Sequence, residues 1–114
     1  MKVLVCGSRS YADRIHVFRV LTDLHSSHPI SVIVHGGATG ADTLAHEWAV
    51  EHSIAYARYP ANWDLDGRKA AGPIRNQRML DAESPDLVVA FLGGRGTQDM
   101  MRRARKAGIE VRQV

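Results

Sequence analysis

The 114-residue chain has room for one compact core and not for two, so a single domain spanning 1–114 is expected. Its 45% hydrophobic and 24% charged residues are those of an ordinary globular protein, and no stretch approaches the ~20 apolar residues of a membrane span. A formal charge of +3 is too modest to argue for nucleic acid on its own.

Two further features of the composition bear on function. Twelve of the fifteen cations are arginine, whose planar fork suits phosphate and carboxylate, although a GC-rich genome gives the same bias. The single cysteine excludes an internal disulfide and fits a reducing cytosol, and Met1–Cys6 is too short in its apolar part for a signal peptide. A cytoplasmic protein is therefore expected.

Residues 2–6 read as a first strand that runs into the turn cluster Gly7-Ser8-Arg9-Ser10. Asp13 is placed to cap a helix over about 14–27, with Val17, Phe18, Leu21 and Leu24 on one face and His28-Pro29 as its stop. Ile30 to Val34 forms a second strand, followed at once by His35-Gly36-Gly37-Ala38-Thr39-Gly40-Ala41-Asp42. The helix at about 40–52 has the clearest apolar stripe: Ala41, Leu44, Ala45, Trp48 and Ala49. Ile54 to Tyr59 is a third strand, and Pro60 to Gly72 is too polar and glycine-broken to form an element.

Pro73 suits the first turn of a helix reaching about Ala82, which Ser84-Pro85 ends. Val88 to Leu92 has the character of a strand buried on both faces, and it empties into Gly93-Gly94-Arg95-Gly96. A helix from about Thr97 to Ala107 follows, closed by Gly108, and a final strand begins at Ile109 to Val111. Strands alternating with helices predict a Rossmann-like three-layer α/β fold with four main helices. Its sheet would be parallel and five-stranded, in the common order 3-2-1-4-5.

That order places the ligand site between strands one and four, where the loops Gly7–Ser10 and Gly93–Thr97 become neighbours and Gly36–Asp42 lies next to them. A strand, a glycine turn and a helix N-terminus together make a phosphate cradle. The 60–72 segment can fold over it, which gives Trp63 a base to stack on or a long loop to pin. Arg75 follows directly on that loop, beside Asn76 on the same helix. Thr39 with Asp42 matches a capping box, and Asp42 is equally an acid that could bind a ribose hydroxyl. No Gly-x-Gly-x-x-Gly follows the first strand and no Gly-Lys-Ser/Thr is present, so neither a nicotinamide fingerprint nor a P-loop is available. His16, His25, His46 and His52 lack paired ligand spacing, and no metal or cofactor is expected.

Four motifs in order carry a resemblance over nearly the whole chain: Gly7-Ser-Arg9, His35 to Asp42, Ala70-Ala-Gly-Pro-Ile-Arg-Asn-Gln-Arg-Met79, and Gly93-Gly-Arg-Gly-Thr97. Together they resemble the SLOG superfamily, in its YspA-core, YpsA-related branch. The resemblance implies a Rossmann-like fold that binds a nucleotide or nucleotide-derived ligand, and a homodimer. With the loop argument that adds Trp63, it makes Gly7, Ser8, Arg9, Gly36, Gly37, Thr39, Gly40, Asp42, Trp63, Arg75, Asn76, Gly93, Gly94, Arg95, Gly96 and Thr97 the expected ligand-binding set.

The related LOG enzymes, which cleave nucleoside 5′-monophosphates to base and ribose 5-phosphate, share Arg75, Met79, Gly93, Gly94, Gly96 and Thr97 of their pattern. Leu92 replaces their proline, and Met100 stands where their catalytic glutamate would be. An enzyme built on this chain would have to use Asp99 or Asp42 in its place, with Arg75. A sensor or ligand-sequestering module is therefore the leading expectation, a phosphoribohydrolase the alternative, and a nucleic-acid-binding module the weaker third.

Overall fold

A computed structural model describes residues 1–67 and 69–114. Ten elements follow one another: β1 (Lys2–Cys6), α1 (Arg14–Ser27), β2 (Val32–His35), α2 (Ala41–Glu51), β3 (Ala55–Arg58), α3 (Trp63–Asp66), α4 (Ala71–Glu83), β4 (Leu87–Ala90), α5 (Arg95–Lys106) and β5 (Glu110–Gln113). All strand pairings are parallel, and the sheet order is β3-β2-β1-β4-β5, as the alternation predicted. Among the described residues no helix is long and apolar enough to cross a membrane.

The central strands β1, β2 and β4 are buried on both faces because helices cover both, whereas the edge strands β3 and β5 are largely exposed. Val3, Val5, Ile33, Leu87 and Val89 face α1 and α2, where they pack with Val17, Leu21, Trp48 and Phe91. Their neighbours Leu4, Cys6, Val34, Val88 and Ala90 point the other way, against Met79 and Leu80 of α4 and Met100, Met101 and Ala104 of α5. The two-residue period of a strand divides one apolar run between two cores. Trp48 is fully buried, and its indole N–H donates to Thr22 Oγ1 at 3.1 Å, which ties α2 to α1.

Several boundaries differ from the periodicity. Asp13 caps α1 as expected, accepting the His16 N–H at 3.0 Å. The second strand starts at Val32 rather than Ile30, although Ser31 N–H already donates to the Met1 carbonyl at 2.8 Å. The 60–72 segment contains the short α3, and α4 begins at Ala71, so Pro73 is its third residue. Proline is tolerated there because the first-turn N–H groups have no intrahelical acceptor. Arg68 of that segment lies outside the described residues. The fourth strand ends at Ala90, and Leu92 is 80% exposed beyond it. The last helix starts at Arg95, two residues before the expected Thr97.

The loops at the carboxyl edge of the sheet are joined through backbone. Ser8 N–H donates to Leu92 O at 3.0 Å, and Ser8 O accepts the Ala41 N–H at 3.3 Å. Thr39 Oγ1 donates to Arg9 O at 3.0 Å. This closeness requires Gly40: its φ is +77°, and a Cβ would overlap the Ser8 carbonyl. Gly108 also has φ of +77°, but open space surrounds it. Gly108→Ala should therefore lose about 1–2 kcal/mol from backbone strain alone. Gly40→Ala adds a backbone collision and should lose at least ~2 kcal/mol more by urea unfolding. Equal losses at the two positions would mean that the loops are not packed as described.

Candidate ligand cleft

A cleft of about 450 Å³ opens where the β1–α1, β2–α2 and β4–α5 loops meet, beside the start of α4. Its floor is Cys6 and Met79, from the core beneath the sheet. The β4–α5 side ends in the first turn of α5. There Gly94 occupies the N-cap without a side-chain cap bond, and the N–H groups of Arg95, Gly96 and Thr97 have no acceptor among the described residues. This leaves three donors and the positive end of a helix dipole at the cleft.

Asp42 and Arg75 form the opposite wall, one on each side of Gly36. Asp42 is 6% exposed, and its Oδ2 accepts the N–H of Gly36 at 3.0 Å and of Ala38 at 3.2 Å. Its Oδ1 has no partner among the described residues. Arg75 Nη1 donates to the Gly36 carbonyl at 2.7 Å, and its Nε donates to Asn76 Oδ1 at 3.1 Å. A Cβ at Gly36 would overlap the Arg75 guanidinium and come within 3.0 Å of Asp42 Oδ2, so a side chain there would require the guanidinium to move. Asn76, itself buried, donates to Gly96 O at 3.1 Å and to Asp99 Oδ2 at 3.0 Å. One side chain therefore connects Arg75 to the first turn of α5.

Burial pushes the Asp42 carboxyl up to about 6, against the opposing hydrogen bonds from Ala38 and Gly36 and the positive charges of Arg75 and Arg9. Burial, with Asp42 nearby and Arg75 opposing, lifts the Cys6 thiol to about 12, so it stays protonated and is not a nucleophile. Arg9 lies 4.9 Å from the Trp63 ring centroid, and both residues line the cleft.

Of the residues singled out in the sequence, the structure brings Gly7, Ser8, Arg9, Gly36, Asp42, Trp63, Arg75, Asn76, Gly94, Arg95, Gly96 and Thr97 into this cleft. Gly37, Thr39, Gly40, Gly93 and Asp99 do not line it. Thr39 and Gly40 join loops, and Gly93 has no room for a side chain because a Cβ would strike Thr97. Asp42 forms no capping box with Thr39, whose hydroxyl is given to Arg9; it holds the loop before the helix instead. Val5, Cys6, Ala38, Gly72, Pro73 and Met79 also line the cleft and were not singled out as ligand contacts, although Ala38, Gly72, Pro73 and Met79 lie within the quoted motifs.

A family model described as YAcAr, the YspA, cpYpsA-related SLOG family, matches residues 1–65. The "Gene 61 protein" of Mycobacterium phage D29 is 42% identical over 118 residues, covering 96% of this chain and 93% of that one. The chain belongs to this SLOG family. Its fold is similar to that of DNA processing protein A (DprA) from Streptococcus pneumoniae, solved by X-ray crystallography. The TM-score is 0.79 at 23% identity, over 98% of this chain and 49% of that one. The chain thus spans about half the length of that structure, and the likeness concerns the fold.

Against the LOG pattern, this SLOG protein departs in a definite way. Met100 is fully buried among Leu4, Met79, Val88 and Met101, so a core side chain stands at the glutamate position. Asp99, the neighbouring acid, does not line the cleft. Its oxygens accept from Asn76, from Arg102 at 2.6 Å and from Arg103 at 2.8 Å. Burial pushes the Asp99 carboxyl up, but these hydrogen bonds and the charges of Arg103 and Arg102 outweigh it and hold it below the usual range.

The raised Asp42 value has a stability consequence. Between 3.8 and about 6 the folded state holds a proton that the unfolded state releases, so this group's contribution falls as pH rises through that window. At ~1.4 kcal/mol per tenfold change in proton affinity, the cost above pH 6 is of order 3 kcal/mol. Asp42→Asn keeps an oxygen to accept the loop N–H groups. Its unfolding free energy should exceed the parent's by up to about that amount at pH 7 and match it near pH 4. A difference that is constant across this range would contradict the assignment.

Proposed function

We propose that the cleft holds a nucleotide or nucleotide-derived, phosphate-bearing small molecule, and that the protein acts as a sensor or sequestering module for it. One observation carries this reading: the uncapped first turn of α5 opens onto the same cleft as Arg75, Arg9 and Arg95. The phosphate would take the N–H groups of Arg95, Gly96 and Thr97, with Gly94 leaving the approach clear. Arg75 uses Nε and Nη1 on the protein, and its Nη2 is left to pair with a phosphate oxygen. Asp42 Oδ1 would accept from a sugar hydroxyl, and Trp63 with Arg9 would close over the base. The cleft is built within one chain, so the expected cytoplasmic homodimer is compatible with this reading but not needed for it.

A second reading is a nucleotide N-glycosidase that uses Asp42. What favours it is a carboxyl of about 6 placed in the cleft, where it could stabilise an oxocarbenium-like state or take a proton from water. DprA takes its name from DNA processing, which raises a nucleic-acid reading. Against it, Trp63 is the one aromatic lining the cleft among the described residues, too few for a stacking platform along a strand.

Gly94→Asp separates folding from binding. Gly94 has φ of −99° with open space around it, and aspartate is a favoured N-cap, so stability should stay level or rise by a few tenths of a kcal/mol. Its carboxylate would occupy the phosphate position and repel the ligand. In a thermal-shift screen of mono-, di- and cyclic nucleotides, ligands that stabilise the parent should bind the variant at least ~10-fold more weakly. Equal shifts in both proteins would refute the cradle. Release of free base from a nucleoside monophosphate by the parent, lost in Asp42→Asn, would favour the glycosidase.

A further inference from the structure

The pair formed by buried His35 and half-buried His46 lies outside the nucleotide reading. His35 ends β2 and is 2% exposed. Its Nδ1 accepts the Gly37 N–H at 3.0 Å, which requires that nitrogen to be unprotonated. The ring hydrogen is therefore on Nε2, which sits 3.0 Å from His46 Nδ1. That nitrogen must accept, so His46 carries its own hydrogen on Nε2. Burial, the largest cause, with the charges of Arg58 and Arg75, lowers the His35 pKa to about 4, in keeping with a neutral ring. A backbone N–H thus fixes two tautomers in turn, and the relay ends in a donor at His46.

That donor belongs to a pocket of about 350 Å³ between α2 and β3, lined by Thr43, His46, Tyr56, Arg58 and the Gly37–Ala38 backbone. Tyr56 meets the His46 ring edge-on, with centroids 4.2 Å apart, and is half exposed. Its hydroxyl has no hydrogen-bond partner among the described residues. Arg58 lies over Gly37, where a Cβ would come within 2.7 Å of its Nε, and it has no carboxylate partner among the described residues. Thr43 gives its hydroxyl hydrogen to Ala38 O at 2.8 Å. His46 N–H, Tyr56 O–H and the Arg58 guanidinium therefore converge on one space, and no carboxylate lines it among the described residues. Such a set suits a group that only accepts hydrogen bonds and carries negative charge.

We propose that this pocket is a second ligand site, taking a small oxyanion: a carboxylate or a phosphoryl group. It is distinct from the cleft: Ala38 lines both, Gly36 only the cleft and Gly37 only the pocket. On the cleft side, Asp42 takes the Gly36 and Ala38 N–H groups; on the pocket side, His35 takes that of Gly37.

The test is a site-resolved NMR titration at fixed pH and ionic strength, with inorganic phosphate and acetate added separately. The His46 ring and Arg58 Nε–H signals report the pocket, and the Gly96 and Thr97 amides report the cleft. At least one anion should shift the His46 signals saturably. Its affinity should fall at least about fivefold in Arg58→Gln, drop less in Tyr56→Phe and survive in Gly94→Asp. Which anion saturates distinguishes a carboxylate from a phosphoryl ligand. Absent or non-saturating His46 shifts, shifts that Arg58→Gln leaves intact, or binding reported only by Gly96 and Thr97 would overturn the proposal. Failure of nucleotides to bind the cleft, with His46 still saturating, would count against the nucleotide reading alone.

Discussion

The carboxylate of Asp42, buried at the start of α2, is the constraint on which the cleft depends. It accepts two backbone N–H groups of the β2–α2 loop with one oxygen, while Arg75 takes the carbonyl of Gly36 from the other side. The loop is clamped between an acid and a base, and a side chain at position 36 would displace the guanidinium. Burying that carboxylate opposes folding near neutral pH, and a neutral side chain would serve the backbone as well. A costly ionisable group retained at the mouth of a cleft, with one oxygen unused, is the pattern expected where stability has been exchanged for recognition.

The topology explains why such a clamp can face a helix N-terminus. With β1 central, the loops after β1, β2 and β4 leave neighbouring strands at one edge, and Ser8 bonds to both of the others through its backbone. Asn76 then carries the connection from Arg75 across to α5. The departure at position 100 fits this frame. Met100 is part of the core under α5, and the nearest acid, Asp99, is held by two arginines and Asn76. The neighbouring carboxylate is engaged elsewhere, which favours the proposed holding of a nucleotide over cleaving one.

The sheet order, the helix pattern and most of the cleft were legible in the sequence because they follow from periodicity and from glycine clusters at strand ends. Val3 to Cys6 and Leu87 to Ala90 are apolar at every position, as a doubly covered sheet requires. The ends of elements were less legible. Leu92 reads as strand by hydropathy, yet its carbonyl is turned to Ser8 and its side chain to solvent. Gly94-Arg-Gly reads as a turn by propensity, yet a first helical turn tolerates glycine and α5 begins there. Thr39-x-x-Asp42 has the spacing of a capping box, and only the fold reveals that each side chain bonds elsewhere. The His35–His46 relay was out of reach, since it depends on a strand end and a helix meeting across a loop.

The central claim is that the first turn of α5 is a phosphate cradle, and comparing adenosine with adenosine 5′-monophosphate tests it most directly. The ligand differs only in the group the cradle would hold. With the protein labelled for amide NMR, the monophosphate should shift the Arg95, Gly96 and Thr97 amides and bind at least ~10-fold more tightly than the nucleoside, a difference of ~1.4 kcal/mol. Equal affinities, or binding that leaves those three amides unmoved, would contradict the account.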